Sequence, residues 1–332
     1  MSRFRYGLVS VGLIAIFAAA VGAQQRRGNA PREESPTFLD PKDAGPDYAT
    51  QGEYLTDASA PKKFGVQVAA LGHGRFMVVV LPGGLPGEGA DVSSRVVLTA
   101  IAEEGKPAKI LPWNGYDGSF SDGALSLRSP EAPIKLKRIE RQSPRAGAKP
   151  PEGATVLFDG KNADAWQNGE VDSRGLLASG TKTKKLYQDF TLHCEFIIPF
   201  KPQAADQARG NSGIYMQDRY EVQVLDNFAE FPRFNGIGAL YRQHTASVNM
   251  CYPPLQWQTY DIEFHAAKFD ASGKKVKNAV VTVILNGVMV QDHYEITAKT
   301  GAGAKEGPTP GAIQLQGHDN PVFYRNIWVV EK

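Results

Sequence analysis

Cysteine is nearly absent: Cys194 and Cys251 are the only two in 332 residues. One bridge at most cannot staple a chain of this length, so the fold has to rest on a hydrophobic core. No CxxC pair and no HExxH run occur, which removes the compact signatures of zinc sites. Net charge is scarce as well. The balance is only +2, and no run of Lys and Arg interleaves with aromatics, so no nucleic-acid partner is expected. Beyond the N-terminus no segment is apolar enough to span a bilayer.

The N-terminus carries the one long apolar run. Arg3 and Arg5 precede Gly7 to Ala20, and the small residues Val21-Gly22-Ala23 follow. This order matches a signal peptide over 1–23, cleaved before Gln24. A secreted or periplasmic protein with no membrane span after cleavage is expected. Residues 24–60, rich in Pro, Gly and charge, read as a disordered linker.

The remainder reads as strands. In a small all-β domain of unknown role over 61–143, Phe64–Leu71 and Arg75–Leu81 form a hairpin about His73-Gly74. Further strands are expected at Arg95–Ile101, Lys109–Pro112, Gly123–Leu127 and Ile134–Ile139. The loop Leu81–Gly87 is glycine-rich but lacks the GK[ST] ending of a phosphate loop. A Pro-rich linker at 144–151 leads to a second unit, 152–332, which has no sustained helical period. Its short strands include Phe190–Ile198, Trp257–Ala266, Ala279–Leu285 and Phe323–Val330, with Asn286-Gly287 as a hairpin turn. An all-β sandwich or jelly roll follows.

The most informative stretch is Arg209 to Asn227. Ile214 and Met216 alternate with Tyr215 and Gln217; Tyr220, Val222 and Val224 alternate with Glu221 and Gln223. Period two sends Glu221 and Gln223 to the same face, opposite the apolar set. Two readings stay open here: the wet face of an antiparallel sheet, or a carboxylate and an amide that handle a sugar. Asp261 and Glu263 alternate on another strand and read as solvated.

Several long motifs resemble the 3-keto-disaccharide hydrolase family. They are Val156-Leu157-Phe158-Asp159-Gly160-Lys161-Asn162 with Trp166, Gly210–Tyr215, Tyr220–Asp226, Asn249–Pro254, Trp257–Ile262 and Asn326-Ile327-Trp328. The resemblance implies a concanavalin A-like jelly-roll β-sandwich, preceded here by the small all-β domain, as in secreted planctomycete-type members. It also implies a substrate already oxidised at C3, a 3-keto-glycoside. The ketone acidifies C2–H, so a base removes that proton, the aglycone is eliminated and water adds back. Glu221 and His318 are the implied base and acid, in either order; histidine as a residue type can do both. Arg209, Asn211, Tyr215, Gln223 and Arg242 are the implied substrate contacts. A divalent cation on Glu221, Asp226 and His318 stays open. The chain departs from the family at Gln316-Gly317-His318-Asp319-Asn320-Pro321, where Gly and Asp have changed places and Asp319 takes a position that glycine's backbone freedom would suit. A non-catalytic carbohydrate-binding module on the same sandwich is the alternative.

Overall fold

A computed structural model describes residues 35–332. The expected signal segment and the first part of the expected linker lie outside these residues. Among the described residues no helix is long and apolar enough to cross a membrane.

After a short helix, α1 (Gly45–Thr50), eight antiparallel strands close into a barrel. They are β1 (Gly52–Thr56), β2 (Phe64–Ala70), β3 (Arg75–Pro82), β4 (Val96–Ile101), β5 (Lys109–Trp113), β6 (Tyr116–Ser121), β7 (Ala124–Arg128) and β8 (Pro133–Ile139), with β8 returning to β1. Alternate residues point inward: Val66, Val68, Phe76, Val78, Leu98, Ile110, Leu125, Leu127 and Leu136 fill the interior. His73 holds the expected β2–β3 turn with a left-handed φ of 54°.

The sequence pattern misses β1 and β6. Strand β6 (Tyr-Asp-Gly-Ser-Phe-Ser) is too polar to show an apolar face, and β1 lies inside the stretch expected to be disordered. Residues 24–60 are therefore not wholly a disordered linker. Order there comes from distant partners. Glu53 is buried in an ion pair with Arg141 (2.6 Å) and accepts a bond from Gln67 Nε2 (2.9 Å).

The second unit is built from β9 (Thr155–Phe158), β10 (Trp166–Gln167), β11 (Leu177–Ala178), β12 (Thr181–Thr183), β13 (Phe190–Ile197), β14 (Ser212–Met216), β15 (Tyr220–Val224), β16 (Gln258–His265), β17 (Lys268–Phe269), β18 (Lys275–Lys277), β19 (Ala279–Leu285), β20 (Val288–Ile296), β21 (Gln314–Leu315) and β22 (Phe323–Glu331). One sheet runs β10-β12-β21-β14-β15; the other runs β11-β22-β13-β16-β19-β20, with β9 also on β22. Ile214, Met216, Val222 and Val224 of the first meet Leu192, Cys194, Phe196, Ile262, Phe264 and Val283 of the second. This is the expected jelly-roll sandwich. The Asn286-Gly287 turn joins β19 to β20 with φ of 51° and 83°, the left-handed pair that a two-residue hairpin requires. Both cysteines are free and buried.

Barrel and sandwich share their cores. Ala69, Val79 and Leu81, on the outer side of β2 and β3, pack into the sandwich core, while Phe200 and Leu255 of the sandwich reach the barrel core. Strands β2 and β3 are covered on both faces, which explains their near-continuous apolar runs. The Pro-rich stretch between the units is strapped down along the second sheet. Ser143 Oγ lies 2.6 Å from Thr259 Oγ1, Gly147 N donates to Glu195 Oε1 (2.6 Å), and Ala148 O accepts from Asn326 Nδ2 (3.0 Å). Asp261 is not solvated as expected: Arg145 donates to it (3.1 Å), and buried His193 contacts it through Nδ1 (2.8 Å) while stacking on Trp328.

Candidate active site

Strands β14 and β15 pair so that Tyr215 stands opposite Glu221 and Gly213 opposite Gln223. These side chains face away from the core between the sheets. Two loops cover them. The loop over 234–244 bonds to the outer edge of β15, with Gln223 N donating to Ala239 O (3.0 Å) and Tyr241 N to Glu221 O (3.1 Å). On the same edge Thr300 Oγ1 accepts from Glu221 N (3.0 Å). The wet-face reading therefore fails: Glu221 is 3% exposed and Gln223 fully buried.

The loops leave a cavity of about 140 Å³ above Glu221. Its walls are mostly neutral and polar, with the amides of Gln207, Asn211, Gln223 and Gln316 and the phenols of Tyr215 and Tyr241; Thr300 and Ala302 complete them, with His318 at the rim. Among the described residues Glu221 is the only carboxylate on this lining, and no Lys or Arg joins it. Burial raises the Glu221 carboxyl to about 7, against the opposing effect of a 2.7 Å hydrogen bond donated by Tyr215 Oη. The same burial, with the Glu221 charge beside it, pushes the Tyr215 phenol up. The Gln223 amide is satisfied with its nitrogen toward Ser212 O (2.7 Å) and Glu221 Oε1 (3.1 Å). Glycine at 213 is what admits the carboxylate, since a Cβ there would collide with Glu221 Oε1.

Of the residues singled out in the sequence, Asn211, Tyr215, Glu221, Gln223 and His318 meet on this cavity. His318 is exposed, and Asn320 braces its loop by donating to His318 O (2.8 Å) and accepting from Gly210 N (3.1 Å). Asp319 takes a left-handed φ of 53°, a conformation that Asp tolerates better than most residues. Gly317 in turn lies where a Cβ would come within 3.0 Å of Gly180 Cα.

Arg209 and Arg242 do not reach the cavity. Arg209 is buried at the junction, where Nε donates to Asp226 Oδ2 (2.7 Å) and Nη1 to Ala70 O (3.1 Å) of the barrel. Arg242 is exposed and lies over the ring of Tyr241 on a left-handed turn. Asp226 is committed to Arg209 and to Phe228 N (3.3 Å), so Glu221, Asp226 and His318 do not assemble a cation site. Among the described residues no group of three or more His, Cys, Asp or Glu could hold a metal. Gln207, Tyr241, Thr300, Ala302 and Gln316 complete the lining without having been singled out. Gln316 and Tyr241 each stand beside a residue or motif the sequence reading used; Thr300 carries no local signal.

The model of the 3-keto-alpha-glucoside-1,2-lyase-like domain matches residues 153–330. A solved structure from Parabacteroides distasonis, described as a "putative glycosyl hydrolase", is 34% identical, with a TM-score of 0.50 over 55% of this chain and 85% of that one. Another from the same organism with the same description is 19% identical, with a TM-score of 0.39 over 55% and 94%. No curated protein matches the chain.

Proposed function

The chain belongs to the family of 3-keto-alpha-glucoside-1,2-lyase-like domains, and on that premise we propose that it cleaves 3-keto-glycosides by elimination followed by hydration. One observation carries this reading. The cavity holds a single carboxyl, Glu221, buried and titrating near neutrality. A conventional glycosidase flanks the scissile bond with two carboxylates ~5–9.5 Å apart. A lone carboxyl poised near pH 7 suits proton abstraction next to a ketone instead.

In the proposed sequence, ionised Glu221 takes the C2 proton and the electron pair moves into an enolate on the C3 oxygen. The Asn211 amide donates to that oxygen, while Gln223, whose nitrogen is taken by Ser212 O and Glu221 Oε1, holds the carboxylate in place. The enolate collapses, the C1–O bond breaks and His318, at the rim, protonates the departing aglycone. Water then adds its hydroxyl to C1 as His318 takes up water's remaining proton, and Glu221 returns a proton to C2. The net reaction is hydrolysis.

A volume of about 140 Å³ admits one sugar ring, far less than the ~300–1,000 Å³ of sites that enclose a drug-sized ligand. The aglycone then lies outside, where Phe234, 53% exposed, offers a ring. Its carbonyl is bonded to Arg242 N beside Tyr241, and the next carbonyl, Asn235 O, accepts from Gln207 Nε2 (3.1 Å). Phe234→Ala is expected to raise KM for a 3-keto-disaccharide several-fold and to spare that for methyl 3-keto-glucoside.

The deciding test is release of a chromophore from an aryl 3-keto-glucoside and from the unoxidised glucoside, in deuterated water. Release from the keto compound alone, with deuterium at C2 of the product, supports the reading. No release from folded protein returns the sandwich to the binding-module alternative, which the four amides of the cavity suit. We also infer export, from the order of Arg3, Arg5, Gly7–Ala20 and Val21-Gly22-Ala23. A mature N-terminus at Gln24 is the expected result of sequencing the native protein.

A further inference from the structure

The barrel has its own concavity, a trough of about 620 Å³ across the outer side of β5 to β8. The pairing register places four outward residues in one row: Lys109 opposite Ser119, Ser119 opposite Ser126, and Ser126 opposite Lys135. Neighbouring strands are ~4.8 Å apart, so the two lysines start about 15 Å from each other across a floor of small hydroxyls. Their flexible stems let both ammonium groups lean over that floor. Neither lysine has an ion-pair partner among the described residues, whereas the neighbouring Arg128 is paired with Asp117 (2.8 Å). Along β5 the trough continues to Leu111, 44% exposed; beyond it the register shifts, and Trp113 pairs with Tyr116 outside the lining. An exposed apolar side chain beside uncompensated cations offers an apolar surface to the face of a pyranose and charge for its acidic substituents.

We propose that this trough binds an anionic polysaccharide, a sugar chain carrying carboxylate or sulfate groups. Leu111 takes a sugar face, Lys109 and Lys135 take the anionic groups, and Ser119 and Ser126 hydrogen-bond between them. Strands β2 and β3 hold the sandwich, and β6 and β7 stand on the opposite side of the eight-stranded ring, so a bound polymer leaves the Glu221 cavity open.

The test is retardation of the full chain in gels containing polygalacturonate, dextran sulfate or neutral dextran, with duplex DNA as a competitor. Four proteins are compared: wild type, Lys109→Gln/Lys135→Gln, Leu111→Ser, and Lys62→Gln/Lys63→Gln, which removes equal charge elsewhere on the barrel. The expected result is retention by at least one anionic gel and not by dextran, with the response to polygalacturonate or dextran sulfate telling carboxylate from sulfate. Affinity should fall at least tenfold in the Lys109/Lys135 variant and less than twofold in the Lys62/Lys63 variant. Leu111→Ser should lose affinity by a margin that added salt does not erase, while the lysine contribution shrinks with salt. Absence of retention, equal losses in both lysine variants, or equal displacement by DNA would overturn the proposal. Turnover of a small 3-keto-glucoside should be unchanged in the Lys109/Lys135 variant, so this result is independent of the reading of the sandwich cavity.

Discussion

Glu221 stands where its own charge is disfavoured. Burial raises its carboxyl from the ordinary 4.5 to about 7. Between those values the unfolded chain has given up its proton and the folded chain has kept it. The Glu221 contribution to stability therefore falls as pH rises from 4.5 to 7 and is level above. Glu221→Gln removes that dependence. The variant should lose ~100-fold or more in turnover and yet melt higher than wild type at pH 8, by on the order of 1–3 kcal/mol. The gain should vanish near pH 4.5, which melting scans at the two pH values check. Tyr215 acts in the other direction, since its donated hydrogen bond favours the ionised carboxylate. Tyr215→Phe should move the acid limb of the pH–rate profile upward, with activity lost more at pH 6 than at pH 8.

At the scale of elements, the paired strands β14 and β15 aim the site and the loops beyond them make it. Gly213→Ala is expected to displace the Glu221 carboxylate, lowering turnover by an order of magnitude or more and destabilising by ~1–3 kcal/mol; kinetics and denaturant unfolding measure both. The alternation over 212–224 is plain in the sequence because period two is a local property. It placed Tyr215, Glu221 and Gln223 on one face. Their burial was not legible, because the covering residues, Tyr241 and Thr300, arrive from loops with no period of their own. Arg209 misled for a related reason: next to a sugar-handling motif it reads as a ligand contact, but its partners are Asp226 in the sandwich and Ala70 in the barrel. Asp226→Asn leaves that guanidinium buried without its counter-ion and should cost ~3–5 kcal/mol, with kcat changed far less than stability.

At the scale of the whole molecule, barrel and sandwich behave as one body, because each completes the other's core. Residues 152–332 produced alone would expose Phe200, Leu255, Met250 and Tyr252. Such a fragment should be poorly soluble or melt well below the full chain, while the full chain should show one unfolding transition by calorimetry and by fluorescence. The position of β22 adds a matter of timing. The last of the described strands, Phe323–Glu331, lies inside its sheet, paired with β13, β9 and β11. While the chain is still being synthesised, β13 has an empty flank and the outer side of β2 and β3 waits for a partner more than a hundred residues downstream. The sandwich can close only after β22 has left the ribosome, so a stop ahead of Phe323 removes an interior strand of a sheet.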